Sequence, residues 1–399
     1  MELNSYLKTA GDDFTHATEE HAPVFVAVDL GSTETRTEQF DGDGSTSGVL
    51  HLDSNYAEVN HSIEHIANPS NALDSKLEAI IEDISESNKS DPAFKSIHVV
   101  KGALMNIINV HTVNTTANAS KIDQIPTYVN VIFNIGLTIL LRAASLNSVP
   151  SNVIPVDATI SLPPEDTTSQ SRIDFFKSRV AGEYRVSFPR LNVQIRFKIA
   201  AHDVMVLSEP NAVAICQQVK DPIPTDTVVG FIDMGGRSSG YSFVRNGVLL
   251  EDGCMTEPIG GNTLKTIIAQ RVSEKFNIQK PTIFMIDNAL PTGQMRVGNK
   301  LMDISDCISA AKREISAVLF NGFMTAMDAN NLQTQQLSQV YCSGRTFGSS
   351  MEGTTVKSAS LMNNLEDMYH ARSPYTGFDL MSSEDPVVTG LIFARFAKV

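Results

Sequence analysis

The stretch Val24-Phe25-Val26-Ala27-Val28-Asp29-Leu30-Gly31-Ser32-Thr33 is an apolar run ending in an acid and a glycine turn. About two hundred residues later it returns as Val228-Val229-Gly230-Phe231-Ile232-Asp233-Met234-Gly235-Gly236-Arg237-Ser238-Ser239. A short, continuously apolar run rich in β-branched residues reads as a strand buried on both faces. Each copy continues into a second strand, Glu34 to Phe40 and Tyr241 to Val244. Laid in register, Asp29 matches Asp233 and Gly31 matches Gly235. One Asp-x-Gly turn could be an ordinary hairpin; two in register, each after a strand, predict duplicated domains.

The residue types suit one chemistry. A glycine turn lets backbone N–H groups approach an anion with no Cβ in the way. The hydroxyls of Ser32, Thr33 and Ser238 can add donors to phosphate oxygens. An aspartate at a strand end can hold hydrated Mg²⁺, which keeps several of its waters. Asp29 and Asp233 are therefore the candidate metal residues.

Other segments extend the pattern. A strand from Gln339 to Cys342 runs into Ser343-Gly344-Arg345, a third glycine loop followed by a helix. Val204 to Leu207 is a strand, and Ser208-Glu209-Pro210-Asn211 then opens a helix with proline in its first turn. Glu209 is either a cleft carboxylate or one favoured by the helix dipole. Helical spacing of Ile304, Ile308, Ala311, Ile315 and Leu319 predicts a helix over 303–319 carrying Lys312, Arg313 and Ser316. Asn71 to Ser85 reads as an amphipathic helix, with Leu73, Leu77, Ile80, Ile81 and Ile84 on one side. Strands are also expected at 94–100, 153–162 and 193–200, and helices at 127–146, 172–180 and 385–393.

Composition bounds the function. The 399 residues carry a formal charge of −14, which disfavours direct binding to nucleic acid. The four cysteines show no metal spacing and read as small buried hydrophobes. The most apolar stretch, Tyr128 to Leu146, is interrupted by Asn130, Asn134 and Arg142, so it reads as a buried helix rather than a membrane span. No basic-then-apolar leader opens the chain, and a cytoplasmic protein is expected.

Together these motifs resemble the actin, heat-shock chaperone and sugar kinase ATPases, in motif order from residue 23 to 399. Asp29 to Thr33 and Asp233 to Gly236 look like the two phosphate motifs. Ser208 to Ala212 and 385–393 look like the connecting motifs, and Ser343-Gly344 like the adenosine motif. Ala311 to Ser316 is similar to the helix that packs on adenine and ribose. Within the superfamily the chain looks most like the plasmid-segregating actins of the ParM type.

The resemblance implies an α/β, actin-like fold of two similar domains, each a mixed, mostly parallel sheet flanked by helices, with a nucleotide cleft between them. The expected division is a 1–22 extension, domain I over 23–225 plus 376–399 with an inserted subdomain near 53–125, and domain II over 226–375. It also implies ATP, or GTP in competition, with Mg²⁺. Asp29, Asp233 and Glu209 are the catalytic set. Gly31, Ser32, Thr33, Gly235, Gly236, Arg237, Ser238, Lys312, Arg313, Ser316, Gly344 and Arg345 bind the nucleotide. Expected partners are other copies in a homopolymeric filament and a DNA-bound adaptor, with no membrane.

Arg237, Gly240 and Arg345 depart from the family pattern and leave hydrolysis less secure than binding. A monomeric small-molecule kinase and a nucleotide-binding scaffold with weak hydrolysis remain alternatives. The chain's end just after its closing helix leaves no room for a chaperone's peptide-binding domain.

Overall fold

The structure is a computed structural model, describing residues 23–31, 34–40, 46–59, 63, 72–73, 76–85, 93–108, 112–113, 120–145, 152–220, 223, 226–246, 248–250, 254–348, 361–381, 383 and 385–396. The 1–22 extension, Ser32 and Thr33 lie outside the described residues. Two compact units emerge, Met1–Ala212 with Val387–Val399, and Val213–Pro386.

The first unit contains β1 (Val24–Leu30), β2 (Glu34–Phe40), β3 (Leu50–Asp53), β4 (Tyr56–Glu58), β5 (Glu78–Asp83), β6 (Ser96–Val100), β7 (Thr112–Val113), β8 (Ile154–Leu162), β9 (Gly182–Phe188) and β10 (Val193–Ser208). They form one sheet in the order β3-β2-β1-β8-β10-β9-β5-β6-β4-β7. Its helices include α1 (Ile125–Ser145), α2 (Gln170–Val180) and the start of α3 (Glu209–Lys220). The second unit contains β11 (Val228–Met234), β12 (Ser239–Arg245), β13 (Val248–Leu249), β14 (Met255–Glu257), β15 (Gln294–Val297), β16 (Lys300–Asp303), β17 (Leu337–Ser343) and β18 (Gly377–Leu380). The order there is β13-β12-β11-β17-β18, with β14 on β12 and β15-β16 as a separate hairpin. Helices α4 (Gly261–Phe276), α5 (Ser305–Ala329) and α6 (Leu361–His370) belong to this unit, and α7 (Pro386–Phe396) closes the chain.

The duplication is visible in the topology. In one unit β1 pairs antiparallel with β2 and parallel with β8; in the other β11 pairs antiparallel with β12 and parallel with β17. Both central strands are buried because each carries an apolar row on both faces. The sheets are mixed, as expected. Among the described residues, only β1–β8, β8–β10, β11–β17 and β17–β18 run parallel. β2, β9 and β12 each join a sequence neighbour by a hairpin, which requires antiparallel pairing.

The expected helix over 71–85 is overturned: its described part contains β5, paired antiparallel with β6 and β9. Leu73, Leu77, Ile80, Ile81 and Ile84 satisfy helical spacing, yet Ala79 and Ile81 point into the core at strand spacing. Pairing on both sides decided the outcome, since a short apolar run fits either period. The segment expected to form a separate subdomain thereby extends the main sheet. The strands expected at 193–200 and 204–207 are one strand, β10, with a register shift between Ile199 and Val204. The helix expected over 303–319 runs ten residues further, to Ala329.

Among the described residues α1 alone is long and apolar enough to cross a membrane, but 89% of its apolar window is buried. It is the core helix of the first unit. Cys216, Cys307 and Cys342 are buried and unpaired, as small apolar groups.

Candidate functional site

The two glycine turns are built alike. Leu30 pairs with Thr35 and Met234 with Ser239, so each hairpin closes through four residues, 31–34 and 235–238. Each loop opens with the glycine. A Cβ on Gly31 would collide with the Glu34 carbonyl oxygen, and one on Gly235 would lie 3.3 Å from that of Ser238. Both loops are therefore tight for the same steric reason.

The aspartates are equivalent as well. Asp29 stands opposite Ser161 of β8, and Asp233 opposite Ser343 of β17. In each case the serine hydroxyl donates to Oδ1 of the aspartate, at 2.9 Å and 2.6 Å. This Asp–Ser pair across the parallel junction was not read from the sequence. Only the register reveals that Ser161 and Ser343 correspond.

Across the antiparallel junction the two differ. Arg36 faces Asp29 and places Nη1 3.3 Å from Oδ2, while its Nε reaches Glu34 at 3.1 Å. Gly240 holds the matching place opposite Asp233. Asp29 is 5% exposed. A cation approaching it competes with Arg36.

Behind each loop, the carbonyls are tied down. Ser54 Oγ donates to Gly31 O at 2.6 Å, and Lys121 Nζ donates to Leu30 O. In the second unit the first N–H groups of α4 do this work, Gly261 N to Gly235 O at 2.9 Å and Asn262 N to Gly236 O at 2.8 Å. A trans peptide points its C=O and N–H in opposite directions. Anchoring the Leu30 and Gly235 carbonyls therefore turns the N–H groups of Gly31 and Gly236 toward the opposite side of each loop. That is the arrangement an anion requires. Gly260 must be glycine here: a Cβ would stand 2.7 Å from the backbone of Arg237 and from Gly235 O.

Glu209 is the first residue of α3, and Ser208 Oγ caps that helix by accepting from Asn211 N at 3.3 Å. The Glu209 carboxylate pairs with Lys121 Nζ at 2.8 Å. Lys121 was missed in the sequence because it sits in a one-turn 3₁₀ helix ahead of α1, with no motif around it. Asp157, the next acid the sequence offered, instead pairs with Arg395 of α7, and its partly buried carboxyl is pushed above the usual range by desolvation. It braces the first unit from another direction.

The remaining candidates lie in the second unit. Gly344 has φ +103°, and a Cβ there would meet the Met234 carbonyl oxygen, so the third loop packs directly under the Asp233 strand. Arg345 begins the short helix Arg345–Gly348. Lys312 is half-buried, which pushes its ammonium pKa down, and Arg313 is exposed. Ser316 is buried, with Oγ 2.8 Å from Lys312 O and 3.3 Å from Leu361 O, so this hydroxyl joins α5 to α6. Arg237 and Ser238 are half-buried within their loop.

Among the described residues no cluster of three or more His, Cys, Asp or Glu forms a metal cage. Mg²⁺ needs none, since one or two carboxylates suffice when waters complete its shell. Asp29 and Asp233, each near the end of a central strand, are the carboxylates available for that role.

No protein-family model and no curated protein matches the sequence. Solved structures do match the fold. A ParM in a 15-stranded filament from Clostridium botulinum is 13% identical, with TM-score 0.63, over 94% of this chain and 99% of that one. ParM from Bacillus thuringiensis with ATP is 14% identical, with TM-score 0.59, over 95% and 99%. An archaeal actin homolog is 11% identical, with TM-score 0.62, over 94% and 100%. At these identities it is the architecture that is shared, and the chain has the actin-like fold of these ParM and archaeal structures.

Proposed function

We propose that the chain is an actin-like ATPase that binds Mg-ATP with the loops at Gly31 and Gly235, assembles into filaments, and hydrolyses ATP to turn them over. The observation that carries this reading is the duplicated Asp–Ser pair beside two glycine loops whose carbonyls are anchored and whose N–H groups are turned outward. Mg²⁺ would supply charge neutralisation at the phosphates. Asp29 and Asp233 would hold the metal, and Gly31 and Gly236 offer N–H donors. Ser32, Thr33, Arg237 and Ser238 complete the loops, with Gly344, Arg345, Lys312 and Arg313 on the adenosine side.

Hydrolysis needs a carboxylate to align a water with the γ-phosphate, and Glu209 is our candidate. The ParM likeness supports self-assembly, and with it movement or positioning of DNA through an adaptor in the cytoplasm.

The test is light scattering and pelleting with ATP, GTP, ADP and no nucleotide, alongside phosphate release. Assembly with a triphosphate, and its loss after hydrolysis, is expected; assembly under none of the four conditions overturns the reading. Glu209→Gln is expected to assemble normally but to release phosphate about 10²-fold more slowly. A second reading, a scaffold with weak hydrolysis, is favoured by Arg36 on Asp29. It predicts assembly with only slow phosphate release from the wild type.

A further inference from the structure

Lys121 has an unusual position for a lysine. Its side chain is 10% exposed and reaches two groups of different origin, the carbonyl of Leu30 at the mouth of the first glycine loop and Oε1 of Glu209 on α3. The residue itself is pinned. Its backbone N–H donates to Asp166 Oδ2 at 2.8 Å, and Arg172 grips both Asp166 at 3.3 Å and Asp123 at 3.1 Å. Asp166 is 1% exposed, so this anchor is set in the core rather than on the surface.

Burying an ammonium is costly, and an apolar side chain of the same length is commonly as good or better for stability. A lysine here is accounted for by what it fixes. By taking Oε1, it holds the Glu209 side chain in one rotamer and leaves Oε2 to accept from a water. By taking Leu30 O, it sets the Leu30–Gly31 peptide and so the direction of the Gly31 N–H. One ammonium thereby sets the carboxylate and the loop donor to a common origin.

We infer that Lys121 is a positioning residue for hydrolysis, acting through Glu209 without touching nucleotide or water. This rests on the nucleotide-hydrolysing reading above. Alignment of a reacting water is worth far more than the net energy of the ion pair, because a misplacement of about 1 Å can cost about 100-fold in rate.

The experiment is steady-state Mg-ATP hydrolysis by wild type, Lys121→Met, Glu209→Gln and the double variant, with thermal unfolding of each. Lys121→Met is expected to lower kcat about 10- to 100-fold with KM changed less than about threefold, since Ser54 still holds Gly31 O and the second loop is untouched. In the Glu209→Gln background the same substitution is expected to change kcat far less, because its route through Glu209 is gone. Lys121→Arg, which keeps the charge, is expected to recover part of the rate.

A normal kcat for Lys121→Met, or an equal loss in both backgrounds, overturns the inference while leaving the ATPase reading intact. A wild type that releases no phosphate overturns both. Should Lys121→Met fail to fold, Lys121→Arg takes its place in the cycle, with a smaller loss expected in the wild-type background only.

Discussion

The two glycine loops have one backbone design and two kinds of support. At Gly31 the bracing groups are side chains, Ser54 and Lys121, drawn from distant segments. At Gly235 they are backbone N–H groups at the start of α4, reached by a chain that comes within van der Waals distance only because residue 260 has no Cβ. The loop geometry follows from local sequence, but its support can be met by any donor the surrounding fold brings near. Side-chain support is sensitive to charge and pH, and backbone support to volume.

The largest contrast concerns pH. Behind Ser54 lies a buried chain: Asn130 Nδ2 donates to Ser54 O at 2.8 Å, and Lys101 Nζ donates to Asn130 Oδ1 and Asp53 O. Lys101 is 1% exposed, and desolvation pulls its pKa down to about 7 against the opposing pull of Asp53. Two acceptors are what a neutral amine with two N–H donors can satisfy. Because the folded pKa lies below the unfolded value, the unfolded chain holds more protons between about pH 7 and 10.5, and stability should rise with pH across that window. The slope should approach about 1.4 kcal/mol per pH unit. Lys101→Met should flatten it in thermal or denaturant unfolding of the first unit. A profile identical to wild type would show that this lysine stays charged, and that the first loop's support is no more pH-sensitive than the second's.

Volume should matter most at the other loop. Gly260→Ala puts a methyl 2.7 Å from Gly235 O and the Arg237 backbone, which no flexible side chain can relieve. Overpacking of this kind costs about 1–3 kcal/mol, and here it should be nearer the upper figure. Nucleotide affinity should fall with it, because the loop itself is displaced. Wild-type stability and affinity in Gly260→Ala would mean that the second loop is held by something other than the start of α4.

How far these features could be read from the sequence follows the same division. Residues 24–40 and 228–245 announced both hairpins and their register, because buried strands and glycine turns are written in contiguous residues. The supports are not contiguous. Lys121 and Ser54 lie in unremarkable local sequence, 91 and 23 residues from the carbonyls they hold. The helix expected over 71–85 failed for a related reason: Leu77, Ile80 and Ile81 fit two periods, and pairing with β9, more than a hundred residues on, chose between them. Ser316 was assigned to the nucleotide by resemblance; its buried hydroxyl lies within reach of Lys312 O and Leu361 O, contacts the sequence does not announce.

Metal dependence should separate the two aspartates by a smaller margin. Arg36 competes for Asp29, and the register position opposite Asp233 is held by Gly240 instead. Asp233→Ala should weaken Mg-dependent nucleotide binding about 10- to 30-fold, roughly 1.4–2 kcal/mol, and Asp29→Ala distinctly less. Titrations with Mg²⁺ and with a chelator would report the difference directly. Equal losses would show that Arg36 swings away when the site fills, making the two halves functionally alike.

The smallest effect is expected at Ser54. Its hydroxyl is buried, donates to Gly31 O at 2.6 Å, and lies 3.0 Å from Thr35 Oγ1, so it ties the loop to the strand after it. Ser54→Ala leaves a loop carbonyl and a buried threonine hydroxyl each short of a partner, a loss of about 1 kcal/mol. Gly31 would keep its tight turn, because the steric limit against Glu34 O is untouched. The Gly31 N–H should lose little of its direction, since Lys121 still holds Leu30 O. Nucleotide affinity should therefore drop only about two- to threefold, within reach of calorimetric titration. Ser338→Ala is the control: it removes a comparable hydroxyl-to-carbonyl bond, to Val228 O at 3.1 Å, from the far end of the second unit's central strand. Affinity should not respond there. A tenfold loss in Ser54→Ala would mean that Ser54, rather than Lys121, sets the first loop, and the two-point support described for it would reduce to one.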